Sequence, residues 1–328
     1  MRLLVTGGAG FIGSHFVKRM LAAGEDVVVL DKFTYAGNPA NLPPEVECYR
    51  GDIAARDEVD QIGQVDAIVN FAAETHVDRS ILGPEDFLRT DVLGTLVLLQ
   101  AARELSARLV HVSTDEVYGD IEPGWSSRED DPLRPSSPYS ASKAGGDLQV
   151  LAGVRTYGIN ASVTRGSNTY GPNQYPEKIL PLFTTNALDG EPLPLYGDGR
   201  QVRDWLHVED HCSGIELVLR EGEPGGVYNI AANEEHENVE LVRLIVEHLA
   251  VDQSLVRHVE DRAGHDRRYS LDTTKLRSLG WEPRRKWEDG IRATIDWYRE
   301  NRDWWEPIKR SGGFREYYDK QYAARLGS

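Results

Sequence analysis

The sequence predicts an α/β protein with a doubly wound parallel sheet and a smaller α/β substrate-binding lobe. Short apolar segments alternate with helical patterns in the first half of the chain, which is typical of a parallel sheet covered on both faces. A glycine-rich turn joins the first strand to the first helix. After residue 165 the alternation is less regular, and Pro, Gly and charged residues increase. We therefore expect one domain over 1–165 and a second lobe over 166–328, with crossing segments between them.

Composition and charge narrow the functional classes. The 328 residues carry a formal net charge of −16, which argues against binding of nucleic acid through a basic surface. The first residues lack the pattern of a targeting signal, and no apolar stretch reaches the length of a membrane span. Cys48 and Cys212 form no CxxC pair, so neither a disulfide framework nor a structural metal site is expected. We expect a cytoplasmic protein without a metal and without nucleic-acid or membrane partners.

The turn after the first strand has the pattern of a dinucleotide-binding loop. Arg2–Thr6 predicts a buried strand, and Gly7, Gly10 and Gly13 follow it at the start of a helix. Glycines let the backbone approach a pyrophosphate, and the helix N-terminus supplies amide donors and a positive dipole end. The next strand ends at Asp31, 18 positions after Gly13, where an acidic side chain binds ribose hydroxyls and disfavours a 2′-phosphate. This pattern predicts a Rossmann-type sheet that binds NAD; a glycine turn without a ligand is the alternative.

Further predicted strands end in residues suited to a cofactor cleft. These strands cover Glu47–Tyr49, Ala67–Phe71, Arg108–Val112 and Ala161–Thr164. Ligands of parallel sheets bind beyond the carboxyl ends of the strands. Asp52 and Ile53 offer a polar edge and an apolar face to an adenine, and Ala72 and Ala73 leave room against the backbone. Packing alone also places small residues at strand ends.

Tyr139 and Lys143 are the first catalytic candidates. Ser137 and Pro138 predict a helix start, so the two residues, at i and i+4, share one helical face. An ammonium favours a nearby phenolate, so we expect Lys143 to lower the pKa of Tyr139 from about 10 towards neutrality and make it a base for a hydroxyl. Lys143 is also a candidate for holding the nicotinamide ribose. Two unrelated surface residues are the alternative, which the glycine-rich loop upstream disfavours.

Taken together, these motifs resemble those of the extended short-chain dehydrogenases/reductases that modify nucleotide sugars. The resemblance to the dTDP-glucose 4,6-dehydratases is closer and runs over nearly the whole chain. It is carried by the segments 31–38, 72–80, 113–119, 176–178, 203–205 and 264–269, besides the glycine-rich loop and the Tyr-x-x-x-Lys motif. Simple 4-epimerases of this superfamily resemble the chain at Thr114 but lack the acidic pair Asp115-Glu116. Decarboxylases and GDP-mannose dehydratases typically keep the glutamate without the aspartate.

The resemblance implies a dehydratase that removes water across C5 and C6 of a nucleotide-activated hexose. Tyr139 takes the C4 hydroxyl proton as hydride passes to NAD⁺, while Thr114 orients the same oxygen. Once C4 is a ketone, Glu116 removes the C5 proton and Asp115 protonates the leaving C6 hydroxyl. One carboxyl must be ionised and its neighbour protonated, and repulsion between them helps to separate their pKa values. Two solvated acidic residues in a loop are the alternative.

The resemblance also implies two sets of binding residues. NAD is expected to contact Gly7, Gly10, Phe11, Ile12, Gly13, Asp31, Lys32, Thr34, Tyr35, Asp52, Ile53, Phe71, Ala72, Ala73, Thr75, Thr90, Tyr139, Lys143 and Asn168. The nucleotide sugar, expected to be dTDP-glucose, is expected to contact Thr75, Thr114, Asn168, Glu177, Lys178, Pro194, Tyr196, Arg203, Asn238, Arg262, His265 and Tyr269. An arginine fork suits a diphosphate, although Arg203 and Arg262 also fit surface ion pairs in so acidic a protein. Tyr196 suits stacking on a pyrimidine or packing in the core.

Two positions depart from the family pattern. Asp91 follows Thr90 where the family usually has a Thr-Asn pair, and Thr169 replaces the second asparagine of Ser-Asn-Asn-Tyr-Gly-Pro. The helical patterns over 87–105 and 139–157 resemble the pair that forms a four-helix homodimer interface in this superfamily. Burial of their apolar faces within one subunit is the alternative.

Other functions remain open at this point. A 4-epimerase or a decarboxylase of the same superfamily would give a product of different mass. A non-catalytic protein that only senses NAD would bind the cofactor without a spectral change on addition of a sugar nucleotide, because fold alone does not imply activity.

Overall fold

A computed structural model describes residues 1–262 and 264–327. The strands are β1 Arg2–Thr6, β2 Asp26–Asp31, β3 Glu47–Arg50, β4 Ala67–Asn70, β5 Arg108–Thr114, β6 Ala161–Gly166, β7 Asn168–Tyr170, β8 Leu193–Tyr196, β9 Val202–His207, β10 Val227–Ile230, β11 Glu235–Glu237 and β12 Val256–Val259. The α-helices are α1 Phe11–Ala22, α2 Arg56–Asp60, α3 Val77–Leu82, α4 Glu85–Phe87, α5 Thr95–Leu105, α6 Pro138–Tyr157, α7 Ile179–Asp189, α8 Val208–Glu221, α9 Asn238–Leu249, α10 Thr274–Ser278, α11 Trp287–Glu300, α12 Arg302–Arg310, α13 Gly312–Tyr318 and α14 Ala324–Leu326. Leu88–Gly94 and Asp319–Ala323 are π-helical, and Pro39–Asn41, Asp115–Tyr118 and Gln253–Leu255 are 3₁₀ turns.

The main sheet confirms the predicted Rossmann-type fold. Its seven strands run in the order β10-β6-β5-β4-β1-β2-β3, and every pairing is parallel. The first six strands lie within one or two residues of the segments predicted from apolar runs. Strand order reverses at β1, whose neighbours are β2 and β4, and such a switch point opens a crevice at the carboxyl ends of the strands.

Alternation along the strands divides the core between the two faces of the main sheet. Leu3 and Val5 pack with Phe16 of α1 and Ile215 of α8 on one face. Leu4 lies on the opposite face, where α2, α5 and α6 contribute further apolar side chains. Both faces of each central strand are therefore buried, which explains why these strands are continuous apolar runs in the sequence.

The smaller lobe has its own sheets and core. A three-stranded sheet has the order β11-β9-β7, β12 pairs with β8 in parallel, and α7, α9 and α11 cover them around Trp205, Leu241 and Ile291. The later chain also crosses back, because α8 packs on α1 and β10 pairs with β6 at the edge of the main sheet. Helix α8 and strand β10 therefore belong to the layer of the main sheet, although they follow residue 166. The domain boundary between residues 165 and 166 stays a prediction.

Helix α6 begins where its sequence predicts. The Ser137 hydroxyl accepts a hydrogen bond from the backbone N–H of Ser140, the Ser140 hydroxyl in turn accepts one from the Ser137 N–H, and Pro138 occupies the first turn. This capping box fixes the start of α6 and with it the positions of Tyr139 and Lys143. Over the two described ranges, no helix is both long enough and apolar enough to cross a membrane.

Two glycines with left-handed backbones provide a test of packing at the first turn. Gly7 has φ +67° and Gly24 has φ +81°, but an added Cβ at Gly7 would lie 2.6 Å from Ala72 N, whereas one at Gly24 meets nothing within 4 Å. We expect Gly24→Ala to cost about 1–2 kcal/mol of unfolding free energy through backbone strain. Gly7→Ala should cost roughly 2–5 kcal/mol, because overlap adds to the same strain. Urea unfolding measures both, and equal losses would contradict the close approach of the first turn to Ala72.

Candidate active site

One cleft runs along the carboxyl ends of β1, β2, β4, β5 and β6. Every residue predicted to bind the cofactor lines it, from Gly7 on the first turn to Asn168 beyond β6. The catalytic candidates Thr114, Asp115, Glu116, Tyr139 and Lys143 line the same cleft. The structure therefore brings these residues together, while their individual roles stay predictions.

The first turn fits a dinucleotide. A Cβ on Gly13 would lie 2.3 Å from the Gly7 carbonyl oxygen, so only glycine allows α1 to start this close to β1. Gly10 is the N-cap residue of α1 and no side chain caps the helix, which leaves amide donors at the cleft for a pyrophosphate. Asp31 is 7% exposed and accepts backbone hydrogen bonds from Ala9 N and Phe33 N. A carboxylate at this position repels a 2′-phosphate, which fits NAD.

Asp52, at the adenine end of the cleft, is held by two cations. Its carboxylate lies 3.0 Å from Lys32 Nζ and 3.3 Å from Arg89 Nε. The backbone N–H of Ala54 donates to the second oxygen at 2.8 Å. Lys32 is predicted to contact the cofactor, and in the structure its ammonium group holds the carboxylate of Asp52 in place.

Lys143 faces a carboxylate that the sequence did not connect with it. Its Nζ donates to the Val112 carbonyl at 2.8 Å and lies 3.8 Å from Asp91 Oδ1. The pKa of Tyr139 is raised well above its usual value, first by burial and then by the charges of Glu116 and Asp91. The expectation that Lys143 brings the pKa of Tyr139 towards neutrality is therefore wrong for this structure, because nearby carboxylates and desolvation outweigh the ammonium.

Thr114, Asp115 and Glu116 form the turn that follows β5. The Thr114 hydroxyl donates to Asp115 Oδ1 at 3.2 Å and accepts from Glu116 N at 3.3 Å. Asp115 is 3% exposed, and its other oxygen, Oδ2, is buried without a hydrogen-bond partner. One short turn thus holds both carboxyl groups at the end of the strand that borders Tyr139.

The environments of the two carboxyl groups differ. Burial, followed by the charge of Glu116, raises the pKa of Asp115 to about 8, so Asp115 keeps its proton at neutral pH. Burial also raises the pKa of Glu116, but Arg262, Lys178 and Arg203 oppose that rise. Burial is the largest cause of both rises, ahead of the mutual repulsion expected from the sequence, and the three cations that oppose the rise at Glu116 distinguish its environment from that of Asp115.

Glu177 and Lys178 lie where the smaller lobe meets the cleft. Glu177 Oε2 accepts from Arg79 Nε at 2.9 Å, and Lys178 Nζ donates to the Thr75 carbonyl at 2.6 Å. The Arg79 guanidinium lies between the rings of Tyr35 and Tyr317, 3.9 Å and 4.2 Å from their centroids. These contacts link the predicted cofactor and substrate residues across the two lobes.

Seven predicted substrate residues lie beyond the lining of the cleft: Pro194, Tyr196, Arg203, Asn238, Arg262, His265 and Tyr269. The two arginines among them are not surface ion-pair residues. Arg203 is 5% exposed, donates to the Asp266 carbonyl at 2.9 Å and lies 4.3 Å from the centre of the Tyr269 ring. Arg262 pairs with Asp78 at 3.3 Å, and its buried Nε has no partner. Both act electrostatically on Glu116, so they border the reacting end of the cleft.

The other residues of this group have protein partners. The Tyr196 hydroxyl donates to Asp78 Oδ2 at 3.3 Å and accepts from Gln321 Nε2 at 2.6 Å, and its ring stacks on Tyr322. Tyr196 is thus half-buried against the C-terminal helices rather than free to stack on a base. His265 is hydrogen-bonded to Asp261, Pro194 is buried in β8, and the Asn238 Oδ1 atom is buried without a partner at the start of α9.

Sequence reasoning assigned no role to several acidic residues of the site. Glu74 lines the cleft, and burial together with Asp86 and Asp91 raises its pKa to about 7. Asp78 pairs with Arg262, and Asp266 accepts from the Tyr269 hydroxyl at 2.8 Å. All three belong to segments that carried the family resemblance, which was the only signal available for them. In the part of the chain that the structure describes, no cluster of three or more His, Cys, Asp or Glu residues is arranged to hold a metal ion.

Comparison with known proteins decides the family. Residues 4–294 match the family model described as GDP-mannose 4,6 dehydratase. A dTDP-glucose 4,6-dehydratase of Streptomyces niveus is 53% identical, over 94% of this chain and 96% of the relative. This chain belongs to the dTDP-glucose 4,6-dehydratase family.

Solved structures agree in fold and separate in function. The structure of DesIV, a dTDP-glucose 4,6-dehydratase of Streptomyces venezuelae with NAD bound, has a TM-score of 0.92 and 54% identity, and the match covers 94% of this chain and 100% of that one. A UDP-glucose 4-epimerase of Thermus thermophilus in complex with NAD has a TM-score of 0.88 at 34% identity, covering 92% and 100%. Because a family member and an epimerase share this fold, the residues of the cleft must carry the distinction.

The raised pKa of Asp115 leads to a pH-dependent difference in stability. The folded protein keeps this proton up to about pH 8, whereas the unfolded chain loses it above about pH 4, so the wild type loses stability as pH rises through that window. Asp115→Asn lacks this dependence. Between about pH 5 and about pH 7 its unfolding free energy should rise by roughly 2–3 kcal/mol relative to the wild type. Urea unfolding at both pH values, with the exposed Glu122→Gln as control, measures it; parallel curves would contradict a buried, protonated Asp115.

Proposed function

We propose that this protein converts dTDP-glucose to dTDP-4-keto-6-deoxyglucose as an NAD-dependent hydro-lyase. The observation that carries the proposal is the Asp115-Glu116 pair, which lines the cofactor cleft together with Tyr139. Burial raises the pKa of both carboxyl groups, and three cations oppose the rise at Glu116. Elimination of water requires one group that donates a proton and one that accepts it. An epimerase has no need for such a pair.

NAD fits the glycine turn, the N-terminus of α1 and Asp31, with Tyr139 and Lys143 at the nicotinamide end of the cleft. When bound, NAD⁺ would supply a hydride acceptor for C4, a positive charge that favours the Tyr139 phenolate and, once reduced, a hydride donor for C6. Because the same cofactor molecule serves every turnover, the cleft has to retain it, and the contacts that join the two lobes through Arg79 support retention.

The residues of the chain then divide the proton transfers. In the NAD-loaded protein Tyr139, once ionised, accepts the proton of the C4 hydroxyl, while the Thr114 hydroxyl hydrogen-bonds to the same oxygen. Glu116, the carboxyl surrounded by cations, removes the C5 proton that the C4 ketone has made acidic. Asp115, protonated at neutral pH, gives its proton to the departing C6 hydroxyl. Glu116 finally returns a proton to C5, and the proton accepted by Tyr139 replaces the one given up by Asp115, so that each group ends in its starting state.

Arg203, Arg262 and Lys178 are proposed to bind the diphosphate of the substrate. These three residues belong to the smaller lobe, and their charges all favour the ionised form of Glu116. Arg262 Nε is buried without a partner, which leaves a donor for a phosphate oxygen. A bound diphosphate would offset the charges of the cations that favour the ionised form of Glu116. The pKa of Glu116 would then rise, and Glu116 would be a stronger base once substrate is in place.

Glu116→Gln tests the assignment of acid and base. With NAD-loaded protein and dTDP-glucose, the variant should still show the absorbance of reduced nicotinamide, because oxidation at C4 does not use Glu116. It should release no 4-keto-6-deoxy product, with a loss of at least roughly 100-fold in turnover, the usual contribution of a general base. Mass spectrometry of the product detects the loss of one water.

The control for this experiment is Glu122→Gln, which removes an exposed carboxyl close along the chain. Normal turnover by Glu116→Gln would refute its role as the base. A wild-type product of unchanged mass would favour the 4-epimerase, and loss of a carboxyl group from a uronic acid substrate would favour the decarboxylase.

We also propose that the protein is a homodimer. Helices α5 and α6 pack side by side, and exposed leucines occupy both this pair and the π-helical segment before it: Leu88, Leu93, Leu96 and Leu148 are 54%, 43%, 37% and 58% exposed. Large apolar side chains grouped on one surface are typical of a protein interface. A second copy of this surface would bury them in a symmetric four-helix contact.

Leu148→Glu should convert the dimer to a monomer, because a charge would be buried at the centre of the interface. Analytical ultracentrifugation at micromolar concentration measures the mass. Trp125→Glu is the matched control, since Trp125 is 73% exposed and lies outside α5 and α6. A monomeric wild type, or a dimer unaffected by Leu148→Glu, would contradict the proposed interface.

A cytoplasmic location is proposed as well. Cys48 is exposed and Cys212 is buried, and both are free thiols. Free cysteines are typical of reducing compartments. Cell fractionation with immunodetection tests this location, and recovery of the protein outside the cytoplasmic fraction would contradict it.

A further inference from the structure

Asp91 occupies an unusual environment for a carboxyl group. Its side chain is 1% exposed on the π-helical segment 88–94, which packs against α6. A Cβ on Gly146 would lie 2.8 Å from the Asp91 carbonyl, so the two helical segments approach closely here. Oδ2 accepts from the Ser142 hydroxyl at 2.6 Å, while Oδ1 has no hydrogen-bond partner and lies 3.8 Å from Lys143 Nζ.

We propose that Asp91 is a positioning residue for the Tyr139–Lys143 pair, holding the Lys143 ammonium and limiting the positive field that reaches the Tyr139 phenol. The inference rests on the roles proposed above for Tyr139 and Lys143. An asparagine at this position would keep a hydrogen bond to Ser142 but carry no charge. The difference between the two residues is therefore an electrostatic one at a buried site, where charges interact strongly.

The geometry makes Asp91 the carboxylate that pairs with Lys143. On α6, Asp147 also faces this region, but its carboxylate is already paired with the buried Arg165, whose Nε lies 2.8 Å away. From β5, His111 is fully buried, and both burial and Lys143 lower its pKa, so it stays neutral. From the segment after β4, Glu74 contributes a carboxyl whose pKa is raised to about 7. Among these carboxyl groups, Asp91 is therefore the one that faces Lys143 without a second cation beside it.

The consequence for the phenol follows from charge. A carboxylate near a tyrosine disfavours the phenolate, and Asp91 is one of the groups that raise the pKa of Tyr139. Burial raises the pKa of Asp91 itself to about 6, with Lys143 and Ser142 opposing the rise. Asp91 is therefore ionised at neutral pH, where the base is needed, and neutral in mildly acidic solution. Its charge makes Tyr139 a weaker acid and its phenolate a stronger base.

The test compares wild type, Asp91→Asn and Asp91→Glu as NAD-loaded proteins with dTDP-glucose. The rate at which reduced nicotinamide forms in a single turnover is measured across pH. Removing the charge should move the acid limb of the Asp91→Asn profile to lower pH by roughly one unit. Asp91→Glu should restore the limb towards the wild-type position. Glu85→Gln, which removes an exposed carboxylate on the neighbouring α4, should leave the profile unchanged.

Other outcomes would overturn the inference. An Asp91→Asn profile that coincides with the wild type would show that the carboxylate does not act on Tyr139. A loss of rate that is equal at every pH would assign Asp91 to packing alone. If Asp91→Asn fails to fold, Asp91→Ser gives the same comparison without charge, and failure of both would assign Asp91 to the stability of the helix pair. Wild-type protein that forms no 4-keto product would sink the proposed function instead, and product analysis separates the two cases.

Discussion

The reversal of strand order at β1 is the constraint on which the other features of the molecule depend. Because β2 and β4 flank β1, the connections after β1 and β4 leave the sheet in opposite directions and open a cleft between them. The cleft is narrow at its base, where Gly7 approaches Ala72 so closely that no side chain fits. A dinucleotide placed there meets the amides of α1 at one end and, at the other, the end of β5 and the first turn of α6.

Desolvation then converts this geometry into chemistry. Burial is the largest cause of the raised pKa of Asp115, Glu116, Tyr139 and Asp91 alike, so the site as a whole disfavours charge. What differs is the supply of cations. Arg262, Lys178 and Arg203 oppose the rise at Glu116, whereas Arg203 and the hydrogen bond from Thr114 oppose it at Asp115. The second lobe therefore supplies the charges that distinguish the environments of the two carboxyl groups.

Much of this arrangement could be predicted from short-range patterns, and the rest depends on contacts between distant segments. Apolar runs and glycine spacing predicted the strands and the first turn, and the Ser-Pro cap with the i, i+4 spacing placed Tyr139 and Lys143 on one face of α6. The pKa of Tyr139 was predicted in the wrong direction, because it depends on Asp91 from another helical segment and on burial. The Arg262–Asp78 pair joins residues 184 positions apart, and no local pattern indicates such a contact.

This fold is shared with a 4-epimerase, and we propose that the difference in reaction lies within one turn. Thr114 ends β5, and its hydroxyl contacts both Asp115 and the Glu116 backbone, so this turn holds both acidic residues close to the Thr114 hydroxyl. Neither residue takes part in the strand pairing of the main sheet. Acid and base can therefore be present or absent here without any change in the sheet, the glycine turn or α6. Under the proposed function, the scaffold brings C4 to the nicotinamide, and the 3₁₀ turn after β5 supplies the acid and the base for the loss of water.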